Sequence, residues 1–515
     1  MVFSDIITDK ALDTVYSGVK KLHDAVSVTM GPRGRNVVIR KNGARTAVTH
    51  DGVTVARSIK LKDRAEDSAA EILREAASKM EAVTGDGTTT VTVLTHALLD
   101  NFRKSKMNPM ELIPYLYLME EEIVSKIKEE KLEPTRENVV NAATVASGSK
   151  EIGESIGNLL FNAGHKTPVV LGFSDMDDTI IEEIDGVKIA SGPASPYLAD
   201  PSGANTEIEA VKVAVIDAKL RDKTEIIPIL SLLSGMQPED RKLLLVVNDI
   251  SGDALALCVM NKLKGFAEIA VARVPQGIHS ASEYLSDIAL ATGATLLSTN
   301  TEASVKQPTM EHFGSASRVI VSPGETLIVG GECSEKDMKK RIESLEKIEA
   351  TKSGPFKKFA QDRLATLNQK VISIMVGGKS GTEAEEKHYR YDDCIGATKA
   401  ALRSGVVPGG GTLLAGIAES MGNSKVEKAV KKALWEPLRK VLFNAGITKI
   451  KERQFDVGIG VDVLAPNLGI VDLVERGIVD PMESEVECVR TAFGAAALLL
   501  SMGAMVIDGE ENETK

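Results

Sequence analysis

Hydrophobic positions near the start of the chain follow the period of a helix. Leu12, Val15 and Val19 are three or four residues apart, the spacing of one buried helical face. Similar patterns predict helices over 64–83, 88–102, 380–450 and 483–507. We therefore expect the two ends of the chain to be mainly α-helical.

The pattern changes at two places between these helical parts. Residues 36–54 predict two short strands around an Asn42-Gly43 turn. In the centre, β-branched runs predict strands at 168–171, 211–216, 243–247, 269–274 and 318–321. Helical segments at 226–234 and 252–264 separate several of these runs, and 335–370 predicts two charged helices broken at Ser353-Gly354-Pro355. The centre therefore has the pattern of an α/β domain.

Length and composition limit the possible architectures and partners. A chain of 515 residues predicts about three domains, with one helical domain built from both ends and the others nested between. Aromatic residues are 4% and the formal charge is −11, which disfavours stacking on bases and contact with a phosphate backbone. We expect no nucleic-acid partner.

Cysteines and apolar runs indicate the compartment. Cys258, Cys333, Cys394 and Cys488 are far apart in sequence, which favours a reducing compartment and no cysteine zinc site. The N-terminus has no basic-then-apolar run of a signal peptide, and the apolar run 492–507 predicts a buried helix rather than a membrane span. The expected location is cytoplasmic.

The segment Gly85-Asp86-Gly87-Thr88-Thr89-Thr90 lies between two predicted helices and could bind phosphate. Gly85 can end the first helix and Thr88 can cap the second, while the free N–H groups and hydroxyls suit an anion. An aspartate among phosphate-binding groups needs a cation, so Asp86 is a candidate Mg²⁺ ligand. A capped turn between two helices explains the same residues without any ligand.

Further glycine and acidic motifs could complete such a site. They are 29–36 (TMGPRGRN), 50–54 (HDGVT), 391–394 (YDDC, on a predicted helix) and 405–411 (GVVPGGG). Each of them alone is also explained by ordinary turns and caps. The chain has no GxxxxGK[ST] motif, so an ATP site here would not be a P-loop.

Taken together and in order, these motifs resemble the group I chaperonins, the GroEL type. The matching stretches are VTMGPRGRNVV, THDGVTVAR, EAASKMEAVTGDGTTTVTVL, NPMEL, ATKAALRSGVVPGGGTLLAG and GIVDPMESEV. The resemblance implies a GroEL-like fold with a mainly α-helical equatorial domain, a small α/β intermediate domain and an α/β apical domain. The implied segments are equatorial 1–133 and 405–515, intermediate 134–189 and 371–404, and apical client-binding 190–370.

The resemblance also implies the roles of individual residues in an ATPase. Asp51 and Asp393 would orient and activate the attacking water, and Asp86 would bind Mg²⁺. Thr90, with the backbone carbonyls of Thr29 and His50, would hold K⁺. ATP would contact Thr29, Met30, Gly31, Pro32, Gly52, Gly87, Thr88, Thr89, Thr90, Gly409, Gly410 and Asp480, the last at the ribose. Asp393 and Asp86 would belong to different domains, so that closing the domains completes the site.

Around the base, the chain departs from the family pattern. Val463-Leu464-Ala465 stands where Tyr-Asn-Ala is frequent, and Ala146 where a serine is common, which leaves adenine selectivity open. His50 replaces a usual lysine, and a backbone role survives that change.

The implied client-binding surface lies in the α/β part. It would comprise Tyr197, Leu198, Ile227, Leu230, Leu255, Val259 and Met260. Helices that are apolar on more than one side are often simply buried, so a core role is the alternative. Pro193 replaces a usual tyrosine there.

Three functions are compatible with the sequence. The first is an ATP-driven foldase whose homo-oligomeric ring, of seven subunits by resemblance, encloses unfolded or misfolded clients, in one ring or two and with or without a co-chaperonin lid. The second is a group II chaperonin, disfavoured because the chain lacks the protrusion that serves as a built-in lid. The third is a non-enzymatic scaffold, disfavoured because Asp51, Asp86 and Asp393 are all present.

Overall fold

The fold is described from a computed structural model. The described residues are 4–8, 11–40, 47–174, 176–199, 206–275, 277–298, 304–367, 369–449 and 452–508. The predicted Asn42-Gly43 turn lies outside them.

Helices dominate the two ends of the chain, as the periodicity predicts. Within the described ranges they are α1 Ala11–Val26, α2 Gly52–Ser58, α3 Arg64–Thr84, α4 Thr88–Ser105, α5 Pro109–Glu129, α6 Arg136–Ser147, α7 Lys150–Ala163, α8 Lys223–Leu233, α9 Gly252–Leu263, α10 Ala281–Thr292, α11 Glu335–Thr351, α12 Pro355–Leu367, α13 Gly381–Ser404, α14 Thr412–Glu419, α15 Lys425–Leu434, α16 Glu436–Asn444 and α17 Met482–Leu500. None of the helices described here combines the length and the apolarity that a membrane crossing needs.

Most of the longer strands lie in the centre of the chain. Within the same described ranges the strands are β1 Ser4–Ile7, β2 Val37–Ile39, β3 Ala47–Thr49, β4 Val169–Phe173, β5 Ile180–Ile189, β6 Thr206–Leu220, β7 Lys242–Ile250, β8 Glu268–Arg273, β9 Leu297–Ser298, β10 Gly314–Val321, β11 Thr326–Gly331, β12 Gln369–Val376, β13 Val406–Pro408, β14 Ile459–Val461, β15 Ile470–Asp472, β16 Val479–Pro481 and β17 Met505–Asp508. All five predicted central strands are present, as β4, β6, β7, β8 and β10.

The chain forms two compact units. Unit 1 comprises Met1–Lys166, Leu171–Ile180 and Ile374–Lys515, and unit 2 comprises Thr167–Val170 and Ile181–Ser373. Unit 1 is therefore built from both ends of the chain, and unit 2 mainly from the segment between them. The finer division into equatorial and intermediate segments stays a prediction.

Unit 1 is a bundle of helices around one large apolar core. Buried side chains of α1, α3, α4, α5, α14, α15, α16 and α17 form this core, with Trp435 among its largest members. Close helix packing depends on small residues: a β-carbon added at Gly18 in α1 would lie 2.1 Å from the carbonyl oxygen of Glu66 in α3. The abundant glycine of the sequence is used here for helix contact.

Three stretches of unit 1 differ from the prediction. Strand β13 interrupts the predicted helical stretch 380–450 between α13 and α14. Residues 52–54 begin α2 instead of continuing a strand, because the Asp51 carboxylate accepts from the N–H groups of Val53 (3.1 Å) and Thr54 (2.8 Å) and caps the helix. The predicted helix 483–507 ends at Leu500, and 505–508 form β17, which pairs antiparallel with β1. Tertiary pairing overrides helical periodicity in this last stretch.

Unit 2 contains a mixed sheet with helices on both faces. Its strands run in the order β5-β11-β10-β6-β7-β8, antiparallel from β5 to β6 and parallel from β6 to β8, while β9 pairs parallel with β6. Alternate strand residues point to opposite faces. One face packs on α10, α11 and α12, and the other packs on α8 and α9.

A buried ion network joins the three helices on the first face. Asp287 in α10 is almost fully buried and accepts from Arg363 in α12 at 2.5 Å and 3.0 Å, and also from Arg341 in α11. Arg363 is itself buried. Removing Asp287 would therefore leave a buried guanidinium without its main partner.

We predict that Asp287→Ala destabilises unit 2 by about 3 kcal/mol, because an uncompensated buried charge is costly. Thermal unfolding followed by circular dichroism measures the change. Asp337→Ala is the control, since its ion pair with Lys340 is exposed on both sides and should contribute little. Equal effects of the two substitutions would contradict the assignment of the network as a stabilising element.

Candidate functional site

The segment from Gly85 to Gly87 forms a tight turn between α3 and α4. Gly85 ends α3 with φ +69°, and Gly87 precedes α4 with φ +82°. Both values lie in the left-handed region that favours glycine. The prediction that Thr88 caps α4 is wrong: Thr88 is the first helical residue, and Gly87 is the capping position without a side-chain hydrogen bond. Asp86 therefore stands at the tip of the turn.

Helix α13 approaches this turn at backbone distance. A β-carbon on Gly396 would lie 2.8 Å from the Cα of Gly85, and the reverse distance is also 2.8 Å. Two glycines facing each other allow this contact. Asp393, nearly one helical turn before Gly396, is thereby brought to the side of the turn that carries Asp86.

The predicted acids form a cluster of like charge in unit 1. Burial, followed by the charges of Asp86, Asp51, Asp392 and Glu81, raises the pKa of Asp393 well above its usual value. Burial also raises the pKa of Asp86, although its carboxylate accepts from the Gly87 N–H at 2.5 Å. The carboxyls of Asp86 and Asp51, on two other segments, thus lie close enough to Asp393 for their charges to contribute to the raised pKa of Asp393.

A cavity of about 60 Å³ lies beside this cluster. Its lining includes the predicted Asp51, Asp393 and Thr88, and also Glu81, Asp392, His388 and Tyr389. No motif described above predicts a role for these last four. Asp392 adjoins Asp393 in the YDDC motif, and Glu81 lies one helical turn before Gly85, which are the only signals that could have identified them.

Asp51 and Gly52 lie against the start of α4. The Asp51 carboxylate is engaged by the N-terminus of α2, as described above. A β-carbon on Gly52 would lie 2.2 Å from the Thr89 hydroxyl oxygen, so only glycine fits beside that threonine. The Thr89 hydroxyl in turn is 3.3 Å from that of Thr29. The motifs around residues 29, 52 and 89 therefore meet in one place.

The residues of the loop from Thr29 to Pro32 differ in how far they are buried. Thr29 is buried, and its hydroxyl donates to the Val26 carbonyl at 2.9 Å. The Met30 side chain belongs to the core of unit 1, and its place beside a nucleotide, which the resemblance implies, stays a prediction. Gly31 has φ +78°, and Pro32 is exposed.

The glycine-rich loop before α14 packs on Asp480. Strand β13 leads into this loop and pairs antiparallel with β16, where Val407 lies opposite Asp480. A β-carbon on Gly409 would lie 2.9 Å from the Asp480 Oδ2 atom, and the Gly410 N–H donates to the same carboxyl. Burial and the charge of Asp86 raise the pKa of Asp480 to about 7.

Glu485 is a further acid that the sequence analysis did not single out. It lies in the first turns of α17, five residues after Asp480. Burial, then the charges of Asp480 and Asp86, raise its pKa to about 8. Because α17 also carries Glu483, Glu487 and Arg490, the sequence pattern alone does not distinguish Glu485.

The side chains do not form a metal centre by themselves. Within the described residues, no group of three or more His, Cys, Asp or Glu side chains converges as a metal site. Mg²⁺ typically takes one or two carboxylates and completes its shell with water and phosphate oxygens, so the half-buried Asp86 in the turn between α3 and α4 fits such a role. Of the residues that the resemblance implies at K⁺, Thr90 lies in the first turn of α4. The Thr29 carbonyl and the His50 ring both lie close to Gly34.

The region expected to contact the base is apolar and open. Leu464 is 59% exposed and Val145 is 37% exposed, whereas Val463 is buried. The Val463 carbonyl accepts from the Arg33 guanidinium at 3.5 Å.

The predicted client residues separate into two sets in unit 2. Tyr197, Ile227 and Met260 are exposed, and Leu255 and Val259 are partly buried. They lie on the turn at 196–198 and on α8 and α9, which contact one another, and the Lys262 amine ties α9 to the Leu198 carbonyl at 2.6 Å.

Leu198 and Leu230 do not belong to this exposed surface. Their relative exposures are 1% and 6%, because both pack into the core between the sheet and the two helices. Their placement agrees with the core alternative considered above, and a role as client contacts stays a prediction.

We predict that Gly396→Ala destabilises unit 1 by on the order of 1 kcal/mol, although alanine normally stabilises a helix interior over glycine. The reason is the contact with Gly85, which an added methyl group would push apart. Thermal unfolding measures the change. Gly381→Ala in the same helix is the control, because no atom lies within 4 Å of its added β-carbon. A stabilised Gly396→Ala protein would contradict the close contact.

The chain matches a known family model and a solved fold. Residues 22–510 match the model described as the TCP-1/cpn60 chaperonin family. Two crystal forms of the chaperonin gp146 from bacteriophage EL 2 (Pseudomonas aeruginosa), both obtained in the presence of ATP-BeFx, share the fold with TM-scores of 0.62 and 0.61. In both, identity is 21%, and the match covers 98% of this chain and 99% of the phage chain. This chain is a member of the TCP-1/cpn60 chaperonin family and a chaperonin subunit of the GroEL type.

Proposed function

We propose that this chaperonin subunit binds and hydrolyses ATP and uses the cycle to capture and enclose non-native proteins. The family supports a chaperonin role with client binding and ring assembly. The related phage chaperonin was crystallised with an ATP analogue, which supports ATP as the nucleotide here. A ring of seven subunits, a co-chaperonin lid and a cytoplasmic location are part of the same proposal.

The observation that carries the proposal is the convergence of Asp51, Asp86 and Asp393 at the glycine turn. The groups that raise the pKa of Asp393 besides burial are all acids. Bringing buried carboxyls together is unfavourable unless protons or a cation neutralise them. A fold that nevertheless holds them at a helix N-terminus with free N–H groups is suited to a metal-bound phosphate.

The proposed role of each residue in ATP hydrolysis follows from its position around the turn between α3 and α4. Asp86 would hold Mg²⁺, whose positive charge would neutralise the negative charge that develops during phosphoryl transfer. Gly87 and Thr88, Thr89 and Thr90 would donate N–H and hydroxyl groups to the phosphates, and Thr90 would also contribute to the K⁺ site. Asp393 and Asp51 would orient a water molecule and accept its proton.

The small cavity favours a cycle that includes motion. The cavity of about 60 Å³ between Asp393 and the Gly85 turn leaves little room there for a phosphate and a water molecule. We infer that α13 moves away from the Gly85 turn to admit ATP and returns to bring Asp393 to the phosphates. Hydrolysis would then occur only in the closed arrangement, which couples it to the conformation of the subunit.

Clients would bind through the exposed apolar side chains of unit 2. Tyr197, Ile227 and Met260 offer a surface of aromatic, branched and flexible thioether groups, and Leu263 on α9 is also 67% exposed. Such a surface is favourable for contact with unfolded chains and unfavourable in water. The partly buried Leu255 and Val259 would border it.

We predict that Asp393→Asn lowers the rate of ATP hydrolysis by about a hundredfold or more while ATP binding is largely retained, because the amide cannot accept a proton from water. Phosphate release at saturating Mg²⁺ and K⁺ measures the rate, and calorimetry measures binding. Glu385→Gln is the matched control on the exposed side of α13.

Unchanged hydrolysis in Asp393→Asn would remove this residue from the mechanism. Absence of any hydrolysis in the unsubstituted ring would instead favour the non-enzymatic scaffold.

We predict that Ile227→Glu combined with Met260→Glu reduces capture of a chemically unfolded protein by about tenfold or more, because charges replace two exposed apolar contacts. Co-sedimentation with the assembled ring measures capture. Since neither side chain is in the core, the melting temperature should change little.

Two matched controls make this experiment decisive. Ser344→Glu adds an exposed charge on α11, on the opposite side of the sheet, and should not change capture. Leu230→Glu should instead destabilise unit 2, because that side chain is buried. Full capture by the stable double variant would place the client surface elsewhere.

A further inference from the structure

The last residue of α16 holds the loop that leads from α1 to β2. The Asn444 amide group donates to the Ser27 carbonyl at 3.1 Å and to the Met30 carbonyl at 2.9 Å. These two carbonyls lie on either side of Thr29, at the two ends of a single 3₁₀ turn. One side chain therefore joins both ends of a turn that the resemblance places beside the nucleotide.

Helix α16 also packs closely on the next residue of this loop. A β-carbon added at Gly31 would lie 3.2 Å from each of the two methyl carbons of Val441. Val441 is buried in the core of unit 1 and precedes Asn444 by three residues, so the two side chains share one face of the helix. The loop is therefore supported by an apolar contact and two hydrogen bonds from the same face.

Backbone hydrogen bonds close the loop on its other side. The Gly34 N–H donates to the Gly31 carbonyl at 2.8 Å. The Arg35 N–H donates to the Val28 carbonyl, also at 2.8 Å. Together with the two bonds from α16, they engage the carbonyl groups before and after Thr29, so the backbone conformation around Thr29 is set by its neighbours.

The amide of Asn444 is not the side chain that stability alone would favour. The two carbonyls fix its orientation, because only the NH₂ group can donate to them. The Oδ1 atom is then buried and has no hydrogen-bond partner among the described residues. A buried acceptor without a partner is unfavourable, and a smaller apolar side chain would avoid it. What the amide contributes is therefore the orientation of the loop.

The loop reaches the proposed phosphate-binding helix through Thr29. The Thr29 hydroxyl lies 3.3 Å from that of Thr89, in the first turn of α4. A loop that is already held in the conformation that contacts a ligand loses less conformational entropy on binding. Holding the loop should therefore increase nucleotide affinity without a part in the chemical step.

We propose that Asn444 is a positioning residue of the nucleotide site, which holds residues 27–31 in the conformation that binds the nucleotide. It acts through the loop backbone and not by contact with the nucleotide. This inference rests on the proposed ATP binding and adds to it a residue that no motif of the sequence predicts.

Asn444→Ala tests the proposal, because it removes both donors together with the Oδ1 acceptor. The affinity for the non-hydrolysable analogue AMP-PNP should fall by about tenfold, the order that the loss of one hydrogen bond corresponds to. The KM for ATP should rise in parallel, while kcat at saturating ATP changes little because the acids around the Gly85 turn are untouched. The melting temperature without nucleotide should also change little, since removal of the buried acceptor offsets the lost bonds.

Calorimetric titration of the assembled protein with AMP-PNP and Mg²⁺ measures affinity, and phosphate release measures kcat and KM. Asn444→Asp keeps the shape but turns a carboxylate toward two carbonyls, so it should bind more weakly than Asn444→Ala. Asn101→Asp is the matched control, because the Asn101 amide donates only to the Ala97 carbonyl of its own helix, at 2.8 Å. It should keep the affinity of the unsubstituted protein.

The outcomes separate the two proposals. Unchanged AMP-PNP affinity in Asn444→Ala would overturn the role of Asn444 and leave ATP binding intact. A fall in kcat with unchanged KM, or an Asn444→Ala protein that does not fold, would also overturn it, since the amide would then act in catalysis or in folding. No binding of AMP-PNP or ATP by the folded, unsubstituted protein would overturn both.

Discussion

Repulsion among buried carboxyls is the interaction on which the proposed site depends. Asp393 can reach Asp86 only because Gly396 and Gly85 face each other without side chains, and that approach brings like charges together. Coulomb energies rise steeply when charges leave water, so the contact between α13 and the turn is unfavourable without a neutralising partner. The two glycines thus permit close contact between α13 and the turn, whereas repulsion among the carboxylates opposes it. A metal-bound triphosphate would reverse this balance, which gives ligand binding a direct influence on the position of α13.

Unit 2 combines a stable core with exposed apolar side chains that are unfavourable in water. Ile226, Ile229 and Leu233 of α8 pack on the sheet, and Ala254 and Cys258 do so for α9. These anchors allow neighbouring positions such as Ile227 and Met260 to stay exposed without loss of the fold. On the other side of the sheet, the ion network around Asp287 joins three helices. The surface proposed to bind clients therefore rests on a scaffold whose stability does not depend on it.

Most helices and strands, and the convergence of the glycine and acidic motifs, can be predicted from the sequence. The predictions that are wrong have identifiable physical causes. Glycines at 85, 87, 409 and 410 act through the backbone, so their turns could be predicted locally. Residues 52–54 were misassigned because the Asp51 cap outweighs the strand propensity of the valines, and 501–507 because pairing with β1 outweighs helical periodicity. Leu198 and Leu230 were assigned by resemblance alone, which gives a position on a helix or turn but not which side is buried. Glu485 was overlooked because its significance arises from Asp480 and Asp86, and only the tertiary structure brings these residues near it.

Asp86 links the two acidic groups of the site. Its charge contributes to the raised pKa of Asp393 and to the raised pKa values of Asp480 and Glu485. A positive charge held by Asp86 would favour the ionised form of every one of these carboxyls, and the ionised form of Asp393 is the one that can accept a proton from water. The same change would strengthen Asp480 as an acceptor for a hydroxyl. The ability of Asp393 to accept a proton and the binding of the sugar hydroxyls by Asp480 would therefore both increase only when the cation and its nucleotide are bound.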